Sequence, residues 1–173
     1  MNSPTALRVL IVEDNVLDAE LVIAQLREAG YQAQWTRVHT EADYLSALDA
    51  APDVILSDYS LPGFGGLQAL ALLKQRDLDI PFILVSGTIG EGPAVAAMVA
   101  GAHDYVLKDN LARLAPVIER ELRACALRRE RRAALAQLDR QARDLAERVK
   151  ELSCLYAVSA RAQQAALPLE ELF

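Results

Sequence analysis

The sequence predicts an α/β protein: a five-stranded parallel sheet covered on both faces by helices, followed by one long C-terminal helix. Three observations predict it. Short, β-branched, apolar runs alternate five times with segments whose apolar residues recur at helical spacing, in repeats of about 22 residues. The strand runs are apolar almost throughout, as expected of strands buried on both faces, and parallel strands need helical crossovers that supply that cover. Beyond its first residue, the stretch from Pro116 to about Ala166 has neither Gly nor Pro. As one helix that stretch would run some 51 residues, far beyond an ordinary globular helix.

Taken in order, residues 7–12 form the first strand, which stops at Glu13-Asp14-Asn15. Ala19, Val22, Ile23 and Leu26 then recur at helical spacing until Gly30, a natural C-terminal cap. Residues 33–38 give the second strand, and Thr40 with Asp43 three residues on is a capping-box arrangement that opens the second helix. Residues 54–56 are the third strand, with a helix around 67–74. Residues 82–85 are the fourth, with a helix beginning near Pro93, a residue favoured in a first helical turn. Residues 104–107 make the fifth strand. Residues 110–114 read as one short turn, because Pro116 suits a helix start better than a helix interior.

Composition bounds the function. With 173 residues, 53% of them hydrophobic and 24% charged, the chain can bury one ordinary core and still carry an appendage. No apolar run approaches the roughly 18 residues of a membrane span, and the start lacks the basic and apolar regions of a signal peptide, so a cytoplasmic protein without membrane contact is expected. The net charge of −6 is uneven: residues 1–115 hold 7 Lys and Arg against 15 Asp and Glu, the remainder 11 against 9. An acidic front half argues against direct nucleic-acid binding, which relies on cations meeting phosphates. Cys125 and Cys154 lie 29 residues apart within the long helix. At about 1.5 Å per residue that separation excludes an intrachain disulfide, and neither has a metal-ligand spacing to His or Cys.

Open parallel sheets bind ligands beyond the carboxyl ends of their strands. Glu13 and Asp14 follow the first strand, Asp58 follows the third, Ser86 ends the fourth and Lys108 follows the fifth, so all five fall on one edge. In a doubly wound, flavodoxin-like order, 2-1-3-4-5, strands one and three are neighbours about 4.8 Å apart. Three carboxylates would converge there, tolerable only with a cation or raised pKa values. Hard oxygens suit Mg²⁺. Lys108 could bring a point charge beside Asp58 to hold a phosphoryl oxygen, and Ser86 could offer a hydroxyl to another. The glycines at 87, 90 and 92 have neither dinucleotide spacing nor a Walker lysine and read as a loop. His39 and His103 read as turn or surface groups.

Glu13-Asp14, Asp58 in the context Asp-Tyr-Ser-Leu-Pro-Gly, Ser86-Gly87, Tyr105 and Lys108 together resemble the response-regulator receiver domain of two-component signalling, over roughly residues 6–125. The resemblance implies that Asp58 accepts a phosphoryl group from a sensor histidine kinase or phosphotransfer protein. It implies Mg²⁺ held by Glu13, Asp14, Asp58 and the backbone carbonyl of Ser60, with Asp58 as the nucleophile and the metal offsetting charge. It implies a switch in which Ser86 swings toward the phosphoryl group and Tyr105 turns inward. Ser60 and Thr88 stand where the family tunes dephosphorylation. One departure is that the family follows its lysine with proline, often cis, whereas Asp109 stands here. A non-proline cis bond costs about 3 kcal/mol, so a trans bond and a shifted loop are expected.

Leu135, Leu138, Ala142, Leu145, Val149, Leu152 and Tyr156 alternate by three and four residues, a heptad seam that needs a partner. The expectation is a parallel homodimer through this helix, with residues 126–157 as a coiled-coil signalling segment; an antiparallel pair, or packing against a further domain, stays open. The Arg128–Arg132 stretch reads as a solvated face. From Glu151 onward the sequence weakly resembles the opening helix of a GAF sensory domain, so residues 158–173 are expected to begin a further domain, cut from a parent whose output is a histidine kinase or a diguanylate cyclase. The fragment itself is expected not to be an enzyme. Two rivals remain open: a phosphorylation-independent dimerisation or docking module, and a small phosphohydrolase with an aspartyl nucleophile. The second usually needs another acid two residues beyond the first, where Ser60 stands.

Overall fold

The structure, a computed structural model, describes residues 5–87 and 91–165. It divides into two compact units, Met1–Leu127 and Arg128–Phe173. In the first, strands β1 (Thr5–Val12), β2 (Tyr31–Val38), β3 (Val54–Ser57), β4 (Phe82–Ser86) and β5 (Asp104–Leu107) alternate with helices α1 (Val16–Glu28), α2 (Glu41–Leu48), α3 (Gly66–Gln75) and α4 (Glu91–Val99). A 3-10 turn, Lys108–Arg113, leads into α5 (Leu114–Ala165). The sheet is wholly parallel with order β2-β1-β3-β4-β5, the predicted flavodoxin-like arrangement.

The period of two along β1 divides the core. Leu7, Val9 and Ile11 face a cluster with Ala19, Val22, Ile23 and Leu26 of α1 and Leu114, Val117 and Ile118 of α5. Leu10 and Val12 face the opposite cluster, with Tyr44 and Leu48 of α2, Ala69, Leu70 and Leu73 of α3 and Ala97 of α4. Successive side chains leave a strand on opposite faces, so one apolar run serves both layers. β3 and β4 are buried along their whole length. They contribute Val54, Leu56, Ile83 and Val85 to one cluster and Ile55, Phe82 and Leu84 to the other.

Element boundaries differ from expectation where end chemistry is ambiguous. β1 and β2 each begin two residues early, because Thr5 pairs with Tyr31 and Ala6 with Gln32 at a polar sheet edge where hydropathy gives no signal. α4 begins at Glu91, not near Pro93, and α5 at Leu114, not Pro116. Both prolines then fall in a first turn, where the missing N–H would have no helical partner anyway. Thr40 caps α2 by accepting from the Asp43 amide at 3.2 Å, but its hydroxyl donates to the Asp43 carboxylate at 2.7 Å. Aspartate is a methylene shorter than the glutamate of a full capping box, which reaches the backbone amide instead. Gly30 lies past α1 at φ +91°. His103 is tied into the sheet rather than loose: its Nδ1 accepts from the Phe82 amide at 3.1 Å, and its own amide donates to the Phe82 carbonyl at 2.9 Å.

In the second unit the described residues are helical, and from Arg129 to Ala162 their side chains are exposed. Leu135, Leu138, Leu145, Val149, Leu152 and Tyr156 are each more than half exposed. Residues 151–165, at the start of the GAF-like stretch, continue this helix, and residues 166–173 lie outside the described residues. No helix among the described residues is long and apolar enough to cross a membrane.

Candidate functional site

The site forms at the carboxyl ends of β1, β3 and β5, and the backbone fixes its acids before any side chain acts. Beyond β1, the Glu13 amide donates to the Val38 carbonyl of β2 at 3.0 Å. Beyond β3, the Asp58 amide donates to the Val12 carbonyl at 2.9 Å. Each acid is thus held by the neighbouring strand one residue past the end of its own. The Ser57 hydroxyl donates to the Asp58 carbonyl at 2.9 Å, which pins the third peptide group of this corner. The same corner leaves no room for a side chain at Gly66, where a Cβ would stand 2.6 Å from the Asp58 carbonyl oxygen and 2.7 Å from Leu84 Cδ2.

Lys108 enters from the first residue of the 3-10 turn. Its Nζ donates to Glu13 Oε2 at 2.8 Å, Asp58 Oδ2 at 3.0 Å and Asp18 Oδ2 at 2.5 Å. The peptide bond to Asp109 is trans, since no described residue follows a cis bond, and the lysine nonetheless reaches Asp58. Asp18 was not singled out from the sequence. It looked like an ordinary acid in the first turn of a helix; its only signal was its place on the turn that Asn15 caps, directly beyond the acidic pair.

The second oxygens of these acids are also held. Glu13 Oε1 accepts from the Asn15 amide at 3.1 Å, and Asp58 Oδ1 accepts from the Ser60 amide at 3.3 Å. Asp14 is exposed, and the third carboxylate on the ammonium is Asp18, not Asp14. Arg37 donates to the backbone carbonyls of Glu13 and Asp14 at 2.9 and 3.1 Å, bracing the turn between β1 and α1. Ser60 is exposed. Ser86 is buried at the end of β4, while Tyr105 on β5 is half-buried and packs against the α2–α3–α4 cluster. Thr88 lies outside the described residues.

Electrostatics follow from this crowding. Burial pushes the Glu13 carboxyl above the usual range, partly countered by the Lys108 ammonium and the Asn15 amide. Burial alone would lower the Lys108 pKa, but hydrogen bonds to Asp18, Glu13 and Asp58 together raise it, so the ammonium stays charged. Three carboxylates on one ammonium leave an excess of negative charge. Among the described residues no three His, Cys, Asp or Glu side chains form a ready metal cage. The donor chemistry, partly exposed hard oxygens with uncompensated charge, nevertheless fits a small divalent cation.

A model of the response regulator receiver domain family matches residues 9–119. The phosphate regulon transcriptional regulatory protein PhoB of Klebsiella pneumoniae is 38% identical over 109 residues, which cover 60% of this chain and 45% of PhoB. The signal receiver domain of a signal transduction histidine kinase from Syntrophus aciditrophicus is 33% identical with a TM-score of 0.56, covering 68% of this chain and 91% of that one. NtrX from Brucella abortus is 31% identical with a TM-score of 0.64, covering 73% of this chain and 29% of NtrX. The chain spans about half the length of the curated relatives it matches.

Proposed function

Because the chain belongs to the response regulator receiver domain family, we propose that it accepts a phosphoryl group on Asp58 from a sensor histidine kinase or a phosphotransfer protein. The observation that carries this reading is the Asp58 carboxylate, on a residue whose backbone amide is fixed to the Val12 carbonyl at the sheet edge, lying 3.0 Å from the Lys108 ammonium. An anionic nucleophile beside a fixed cation suits attack on a phosphorus whose oxygens carry negative charge. Lys108 would hold one of those oxygens, and Ser86 at the end of β4 would offer its hydroxyl to another. Glu13, Asp14, Asp58 and the Ser60 carbonyl are the groups that would hold Mg²⁺. When bound, the metal supplies positive charge that offsets the charge developing on the transferred group.

The switch assigned to Ser86 and Tyr105, and the tuning of phosphoryl lifetime assigned to Ser60 and Thr88, belong to the same proposal. So do a cytoplasmic location and the relay of the phosphorylated state through a homodimeric α5. PhoB is a transcriptional regulatory protein and one structural neighbour is part of a histidine kinase. Transcriptional control and kinase output are therefore proposals with a relative behind them, and cyclase output is a proposal from the sequence alone.

Incubation with acetyl phosphate and Mg²⁺, followed by intact-mass spectrometry, tests the core of the reading. A gain of about 80 Da, one phosphoryl group, is expected in the wild-type chain and not in Asp58→Asn. A gain that persists in Asp58→Asn would place the acceptor elsewhere. No gain in either would favour a phosphorylation-independent docking module.

A further inference from the structure

Asp18 makes the closest of the three contacts to Lys108, at 2.5 Å, and the phosphoacceptor chemistry proposed above gives it no part. An ammonium has three N–H donors and no acceptor. All three are engaged, by Glu13, Asp58 and Asp18. A phosphoryl oxygen arriving at Asp58 can be held by Lys108 only if one carboxylate lets go. Glu13 is the costliest to release: its side chain is 5% exposed and its other oxygen is tied to the Asn15 amide. Asp58 is the acceptor itself. Asp18, on the first turn of α1, is 34% exposed, so water can solvate it as it leaves.

Resting on the reading of Asp58 as phosphoacceptor, we infer that Asp18 is a brake on phosphoryl acceptance: it occupies the Lys108 N–H that the incoming group needs. In transfer from acetyl phosphate, an Asp58 carboxylate oxygen forms the new O–P bond as the P–O bond to acetate breaks, and acetate leaves with that electron pair. Asp18 takes no part in bond making. It is a positioning residue that acts through the lysine.

The test compares initial rates of phosphoryl gain from acetyl phosphate with Mg²⁺ in the full chain, read by intact mass, for wild type, Asp18→Ala and Lys108→Met, and for the double variant. Asp18→Ala should accept phosphoryl roughly threefold to tenfold faster, the scale of one net hydrogen bond withdrawn from competition. In the Lys108→Met background the same substitution should change the rate by less than about twofold, since a residue acting through the lysine has nothing left to act on. A rate for Asp18→Ala equal to or below wild type overturns the inference. So does an acceleration of equal size in both backgrounds, which would leave only general charge repulsion. Should Asp18→Ala fold poorly, Asp18→Val, close in size and without an acceptor, carries the same expectation. A wild-type chain that gains no phosphoryl group, or gains it away from Asp58, overturns the underlying reading and the brake together.

Discussion

Lys108 Nζ and Asp58 Oδ2 lie 3.0 Å apart, although 50 residues separate them in the chain. The parallel order of β1, β3, β4 and β5 brings them to one rim, and the lysine stem crosses the end of β4 to close the gap. Among the described ion pairs this ammonium alone joins three carboxylates.

Removing that cation should therefore cost stability as well as chemistry. Lys108→Ala leaves Glu13, Asp18 and Asp58 facing one another at a partly buried rim, and breaking such a pair costs about 3 kcal/mol. A lower urea midpoint is expected, and millimolar Mg²⁺ should restore part of it by relieving the same repulsion. A variant as stable as wild type, indifferent to Mg²⁺, would contradict this account of the charge balance.

The raised Glu13 pKa sets a pH dependence with a definite sign. Its folded-state value lies above the ordinary 4.5, so its contribution to stability is present at acid pH and lost as pH rises through the raised value. Lys108, also raised, contributes fully below its ordinary 10.5 and loses that contribution only in strong alkali, outside this window. Glu13→Gln cannot titrate. Its stability relative to wild type should climb as pH is raised from about 4 to 7, measured by urea unfolding at each pH. A relative stability that falls over this range would mean that the lysine, not burial, dominates at Glu13.

Gly66 and Gly65 form an internal comparison. A Cβ at Gly66 meets the Asp58 carbonyl at 2.6 Å, and that corner is tied down by Val12 and Ser57. At Gly65 the nearest atom is the Tyr59 carbonyl at 3.5 Å, an ordinary contact. Gly66→Ala should destabilise by about 2 kcal/mol, the scale of overpacking, and slow phosphoryl gain by displacing Asp58. Gly65→Ala should leave both nearly unchanged. Equal effects of the two substitutions on the unfolding midpoint would rule out the steric argument.

The sheet was readable in the sequence because its strands are buried on both faces, so residues 54–56 and 82–85 announce themselves by composition alone. Helix starts were less readable, since Pro93 and Pro116 fit equally well at a first position or slightly inside a first turn. The edge position of Asp58 and Lys108 followed from strand order. The place of Asp18 did not, because a first-turn acid is ordinary helix chemistry and only the direction of the Lys108 stem makes it part of the site. Ser57 escaped notice for a similar reason: its hydroxyl serves a backbone carbonyl, a job that leaves no pattern in a linear sequence.

The last prediction concerns the helix beyond Leu127. Ile118 and Cys125 are buried within the first unit, whereas Leu135, Leu138, Leu145, Val149 and Leu152 expose apolar surface at heptad spacing. Burying that seam against a second copy is the economical way to remove it from water. The full chain should therefore be dimeric by light scattering, and a chain ending at Leu127 should be monomeric while still unfolding cooperatively. Leu145→Lys places a charge in the middle of the seam and should weaken the dimer at least about a hundredfold, a difference of roughly 2.7 kcal/mol. The melting of the first unit should not change. A monomeric full chain at high micromolar concentration would remove the seam as an interface between copies, and a truncated chain that still dimerises would move the interface onto the first unit.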